Sequence, residues 1–167
     1  IAVTHLPESD KGEILLHVTK KHIEIYLSDV RMAVEAGTYQ IASRYKNMDI
    51  YIDYLFTEED TKKLLLSLCA EDFSKAVLNA HPKHSGEVLY IFGKDVRLRP
   101  RFGGAEETVS FYLKLNKLKR DNPAGQYVIV ISLHKQKHPL SYPFRVCDDG
   151  ERMCAKKGAL QAQTLNG

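Results

Sequence analysis

The sequence predicts an α+β domain in which helices from the N-terminal half pack on an antiparallel sheet from the C-terminal half. Apolar residues recur at helical spacing up to about residue 77 and at alternating, strand-like spacing from residue 87 onward. The two most regular strand segments, 108–116 and 126–134, are joined by a short polar stretch, which makes them antiparallel neighbours. The chain has 167 residues, 44% hydrophobic and 27% charged. That is enough to bury one continuous core and too apolar to stay disordered.

Residues 1–26 fit two descriptions, because Glu13–Val18 and Ile23–Tyr26 read equally as short strands or as parts of an amphipathic helix. From Leu27 the signals sharpen. Ser28 is a candidate N-cap, Val30, Ala33 and Val34 recur at helical spacing, and Gly37 is a stop, which predicts a helix over 28–36. Tyr39–Ala42 looks extended, and the basic stretch Arg44–Asn47 leads into helix-compatible sequence. Thr57-Glu58-Glu59-Asp60 is a capped helix start, and that helix runs to about Leu68. Ala70–Val77 reads as one or two further helical turns with Phe73 and Val77 inward.

Past His81-Pro82 the pattern becomes strand. Glu87–Phe92, a turn at Gly93-Lys94 and a return over Asp95–Arg99 read as a hairpin, followed by a loop at Phe102-Gly103-Gly104. In 108–116, Val109, Phe111, Leu113 and Leu115 alternate with Ser110, Tyr112, Lys114 and Asn116. In 126–134, Tyr127, Ile129, Ile131 and Leu133 fall on one face and Val128, Val130, Ser132 and His134 on the other. If both apolar faces cover the helices, Tyr112, Lys114, Ser132 and His134 converge on the opposite side of the sheet. Beyond Phe144 no apolar periodicity remains, and the tail is expected to pack weakly.

Several function classes are disfavoured. No apolar run approaches the length of a membrane span, and no signal-peptide pattern opens the chain, so a cytoplasmic protein is expected. Cys69, Cys147 and Cys154 form neither a disulfide framework nor a CxxC metal pattern, and no metal or cofactor is expected. Net charge is only +3, yet residues 94–137 hold ten Lys or Arg against four acids. A basic half suits a polyanion such as RNA, although a merely solvated basic face has the same composition.

Leu27-Ser28-Asp29-Val30-Arg31 with Ala36-Gly37, Arg44-Tyr45-Lys46-Asn47, Leu66-Ser67-Leu68, Glu71-Asp72-Phe73, Phe92-Gly93-Lys94-Asp95, Phe111-Tyr112-Leu113-Lys114, Ser132-Leu133-His134 and Tyr142-Pro143-Phe144 stand in an order and spacing that resembles the MqsR (motility quorum-sensing regulator) toxin family. The resemblance covers roughly 27–144, leaving 1–26 as an N-terminal extension or arm of the same domain and 145–167 as a C-terminal tail. It implies a RelE/barnase-like fold, helices on a small twisted antiparallel sheet, and cleavage of single-stranded mRNA without a metal. It also implies a cognate antitoxin partner. The family's functional positions fall on Lys75, Tyr112 and His134, with Tyr90 placed across a loop of different length. The founding toxin carries lysine where this chain has His134, which leaves the proton-transfer roles open.

Metal-free RNA cleavage needs a base for the 2′-OH, cations or donors for the phosphate, and an acid for the departing 5′ oxygen. His134 suits either proton role. Lys75 and Lys114 suit the phosphate, and Tyr112 suits hydrogen bonding or base stacking. Arg97, Arg99, Arg101, Lys135, Arg44 and Lys46 are candidate RNA contacts. No paired acids sit near the basic strands to hold two metal ions. The alternative is a non-catalytic RNA-binding or antitoxin-partner regulatory module on the same fold.

Overall fold

Three helices pack against a six-stranded, mostly antiparallel open sheet in a computed structural model that describes residues 13–145. The helices are α1 (Lys20–Glu35), α2 (Tyr45–Asp53) and α3 (Glu58–Ser67). The strands are β1 (Leu15–Leu16), β2 (Tyr39–Ile41), β3 (Phe73–Leu78), β4 (Val88–Leu98), β5 (Glu107–Lys119) and β6 (Gln126–Lys135), in the spatial order β1-β3-β4-β5-β6-β2. Among the described strands only the β2–β6 pairing is parallel.

α1 begins earlier than the Ser28 cap predicts. Thr19 Oγ1 accepts from His22 N–H at 3.2 Å, and Ile23, Tyr26, Leu27, Val30, Ala33 and Val34 form one buried stripe. Ser28 is an exposed mid-helix residue, and Gly37, at φ 74°, ends the helix as expected. Residues 13–26 are therefore built into the domain through β1 and the first turns of α1. α3 starts at the predicted cap: Asp60 N–H donates to Thr57 Oγ1 at 3.2 Å, and Thr57 N–H donates back to Asp60 Oδ2 at 2.9 Å.

Two expected elements are different. Ala70–Asp72 is a single 3-10 turn, after which the chain extends as β3. Phe73 and Ala76 enter the helix-side core, whereas Val77 joins a small cluster on the opposite face with Leu89 and Ile91. The Glu87–Arg99 hairpin is one long strand, β4, whose pairing with β5 runs unbroken from Tyr90↔Leu115 to Leu98↔Glu107. Gly93-Lys94 makes no turn because both residues have places in a continuous strand. Lys94 points into the core at 2% exposure, donating to Ser67 O at 2.8 Å and Asp72 Oδ2 at 3.1 Å. Arg145 Nη2 stands 3.6 Å from the other Asp72 oxygen, so the buried charges are mutually compensated. Gly93 lies under the segment after β6; a Cβ there would overlap Tyr142 Oη and stand 2.7 Å from Gln136 Nε2.

The β5 faces follow the expected alternation, but β6 changes phase. Val128, Val130 and Leu133 are fully buried against the helices, with Tyr127, Ile129 and Ile131 on the other side. A bulge at Ile131 sets Leu115 opposite Val130 and Lys114 opposite Ser132. The buried side chain of Asn47, from α2, occupies the irregularity. Its Nδ2 donates to Ala42 O at 2.8 Å and Ile131 O at 3.1 Å, and its Oδ1 accepts from Leu133 N–H at 2.9 Å. Asn47 thus continues the hydrogen-bond ladder of β6 beyond the end of β2.

Candidate functional site

Cross-strand partners share a face of the sheet, so register decides which predicted site residues meet. One row away from the helices reads Lys75 (β3), Ile91 (β4), Lys114 (β5) and Ser132 (β6). The next reads Gly93 (β4), Tyr112 (β5) and His134 (β6). Lys75, Lys114, Tyr112 and His134 therefore stand in adjacent rows on one face, as the parity of the two last strands predicted for three of them. The phase change at Ile131 is what makes this compatible with a core formed by Val128 and Val130.

The Tyr112 and His134 rings stack, centroids 5.0 Å apart and 11° from parallel. Lys114 Nζ lies 6.0 Å from the Tyr112 centroid. Lys75 Nζ contacts Glu13 Oε2 at 2.6 Å, both side chains about a third exposed. Burial, with a smaller contribution from Glu13, pushes the Tyr112 phenol up to about 12, so it is a hydrogen-bond donor across the physiological range. Burial also holds the Lys114 ammonium below its ordinary range; Glu13 opposes that, and Lys75 and Arg44 reinforce it. His134 Nδ1 is 2.8 Å from Lys135 O. A carbonyl only accepts, so Nδ1 carries a proton and Nε2 is the nitrogen left for proton transfer.

His134 also borders a cleft of about 240 Å³ between α2 and the end of β6, lined by Lys46, Asp49, Asp53, Tyr54, Lys135 and Lys137 among others. Its exposed lysines suit the phosphates of a strand running past His134.

The remaining predicted contacts divide. Arg97 and Arg99 are exposed, Arg97 Nε standing 3.7 Å from Glu106. Lys135 Nζ lies 4.8 Å from the Tyr54 ring centroid and 3.9 Å from Glu107, so the cation sits at the mouth of the cleft. Arg101 instead holds the end of α2, donating to the carbonyls of Tyr51, Ile52 and Tyr54. Tyr90 does not join the site. It faces the helices at 6% exposure, stacks on Tyr26 at 4.0 Å and pairs its hydroxyl with His22 Nε2 at 2.9 Å, because it has the opposite strand parity from Ile91.

Sequence reading missed Glu13, Asn47, Gln136 and Tyr142. Gln136 Nε2 donates to Phe111 O at 3.0 Å and Tyr142 Oη at 3.1 Å, while Arg145 stacks over the Tyr142 ring at 3.6 Å. These contacts fix the segment after β6 beside the Tyr112 row. Asn47 and Tyr142 had stood in the motifs of the family resemblance without a role, and Gly93, the other signal, read more simply as a turn. Cys147 and Cys154 lie outside the described residues.

Among the described residues no group of three His, Cys, Asp or Glu side chains is placed to hold a metal ion, and no helix is long and apolar enough to cross a membrane. No family model matches the chain, and neither a curated protein nor a solved structure shows significant similarity to it.

Proposed function

We propose that this chain is a metal-independent endoribonuclease toxin of the MqsR type with a RelE/barnase-like fold, cutting single-stranded mRNA in the cytoplasm and restrained by a cognate antitoxin. The observation that supports this reading is the convergence of Lys75, Lys114, Tyr112 and His134 on one sheet face, from strands β3, β5 and β6. Such a face carries what 2′-OH attack requires. Lys114 and Lys75 neutralise the phosphate, the Tyr112 hydroxyl donates to it, and His134 Nε2 exchanges a proton with a reacting oxygen. The cleft beside His134 receives the flanking strand.

The test is incubation of the purified protein with a long single-stranded RNA in excess EDTA, with end mapping. Discrete cuts ending in 2′,3′-cyclic phosphate, lost in His134→Ala, are expected. RNA binding without cuts would instead identify a non-catalytic binding module, and cuts that EDTA abolishes would identify a metal nuclease.

A further inference from the structure

A surface helix ordinarily turns polar residues outward, and α2 does not. Its buried side carries Asn47 and Ile50. Its outward side carries Tyr45, 94% exposed, with Met48 and Ile52, each about half exposed, at steps of three and four residues that align them in one stripe. The stripe continues past the helix. Leu55, half exposed, turns outward between the buried Tyr54 and Phe56. Phe102, 83% exposed, follows Arg101, whose backbone N–H donates to Asp53 O. Five of the eight large, exposed apolar side chains among the described residues therefore gather on and beside one short helix. Two largely exposed aromatic rings and three half-exposed apolar chains present roughly 500–600 Å² of apolar surface. The largest patch on a typical monomer spans about 300–600 Å². A standard interface takes about 800 Å² from each partner, somewhat over half of it apolar, so the patch has the size of one side of an interface.

Charge order says which partner fits. Arg44 and Lys46 stand at the N-terminal end of α2 and Asp49 and Asp53 toward its C-terminal end, with no acid in the first turn and no base in the last. That order opposes the helix's own dipole, which is positive at the N-terminus. An antiparallel copy of the same helix compensates both, because the acidic, dipole-negative end of each then lies beside the basic, dipole-positive end of the other. A parallel copy would align like charges and like dipole ends. The apolar stripe is self-complementary in the same sense. A two-fold axis midway between Met48 and Ile52 sets each Met48 against Ile52 of the second copy, and each Tyr45 against the end that holds Leu55 and Phe102. We infer that this chain forms a two-fold dimer in which the Tyr45–Met48–Ile52 stripe of α2 packs antiparallel on the same stripe of a second copy. The pairing needs no RNA and is independent of the endoribonuclease reading. Lys46, Asp49 and Asp53 also line the cleft beside His134, so the seam runs along the rim of that cleft in each copy.

The test is sedimentation velocity of the full chain, free of RNA, from about 0.5 to 50 µM, a span that covers the weak end of standard-size interfaces. Wild type should pass from monomer to dimer within it. Met48→Lys and Ile52→Glu sit at exposed positions, so the circular dichroism of each should match wild type. Each sets a charge against an apolar side chain of the second copy and should weaken the dimer by about tenfold or more. The double variant Met48→Lys/Ile52→Glu should recover part of that loss, because the antiparallel pairing brings each new ammonium onto the second copy's new carboxylate. A parallel pairing would set like charges together and deepen the loss instead. A double variant no better than the singles therefore overturns the antiparallel pairing, and a dimer that neither single variant weakens overturns the use of this stripe. Wild type that stays monomeric throughout overturns the dimer itself. RNA binding weakened by Tyr45→Ala would then give the stripe to RNA, and RNA binding unchanged would give it to a different protein.

Discussion

Replacing Asn47 by alanine probes the point where helix packing is converted into placement of His134. The Asn47 amide makes three hydrogen bonds, to Ala42 O, Ile131 O and Leu133 N–H, and the residue is 1% exposed. Truncation leaves the buried Leu133 N–H without a partner, which costs about 1–3 kcal/mol. The two carbonyls lose a donor each, at about 0.5–1.5 kcal/mol apiece. These effects share one side chain and are not additive, so a loss of roughly 2–4 kcal/mol is expected, a large fraction of a domain stability of about 5–15 kcal/mol. Urea denaturation of wild type and Asn47→Ala measures it. Asn47→Asp sharpens the test, because it keeps the acceptor for Leu133 but turns oxygen toward two carbonyls; it should be at least as destabilising at neutral pH and recover on acidification. On the proposed function, cleavage by the folded fraction should fall as well, since His134 follows Leu133 directly. A loss below about 0.5 kcal/mol, the ordinary range of an inert surface change, would refute the account of Asn47 as the continuation of the ladder.

Three other outcomes follow from the same geometry. Burial lowers the Lys114 pKa in the fold, so its charge opposes folding at neutral pH; Lys114→Met should raise Tm and, on the proposed function, abolish cleavage. The Tyr112 phenol, raised to about 12 in the fold and near 10 when unfolded, binds more protons folded than unfolded between those values, so stability should drop as pH climbs from about 10 to 12. Thermal melts across that window should show a shallower drop in Tyr112→Phe. Gly93→Ala forces a Cβ into Tyr142 and Gln136, and should loosen the segment after β6, read as faster proteolysis there, with the sheet's circular dichroism unchanged.

Where local chemistry dictates structure, the sequence was sufficient. The Thr57/Asp60 capping box, the Gly37 stop and the alternation from Val109 to Leu115 all appear where they read. Illegible features depend on partners distant in sequence. Gly93-Lys94 has turn-like composition, and only Asp72, Ser67 and Tyr142 show why neither residue turns. The Ile131 bulge is invisible in a run of β-branched residues, since both phases of Tyr127–Leu133 are apolar. Hence Ser132, Leu133 and His134 were assigned their true side while the five residues from Tyr127 to Ile131 were assigned the wrong one. Tyr90 erred through parity against Ile91, and Glu13 was unreadable because its partner, Lys75, is reached only through β1.

The strand order also has a temporal meaning. β4, β5 and β6 are sequential neighbours, whereas β1 and β2 join the sheet by closing long loops, which are the slower contacts to form. His134 lies near the end of the last strand and Glu13 enters with the first, so the two flanks of the face are supplied by opposite ends of the described chain. A nascent polypeptide stalled before Gln126 already contains Lys75 and Tyr112 but not His134. On the proposed function, such a chain is harmless to the message being translated, and activity arises only after the final strand has left the ribosome and closed the sheet.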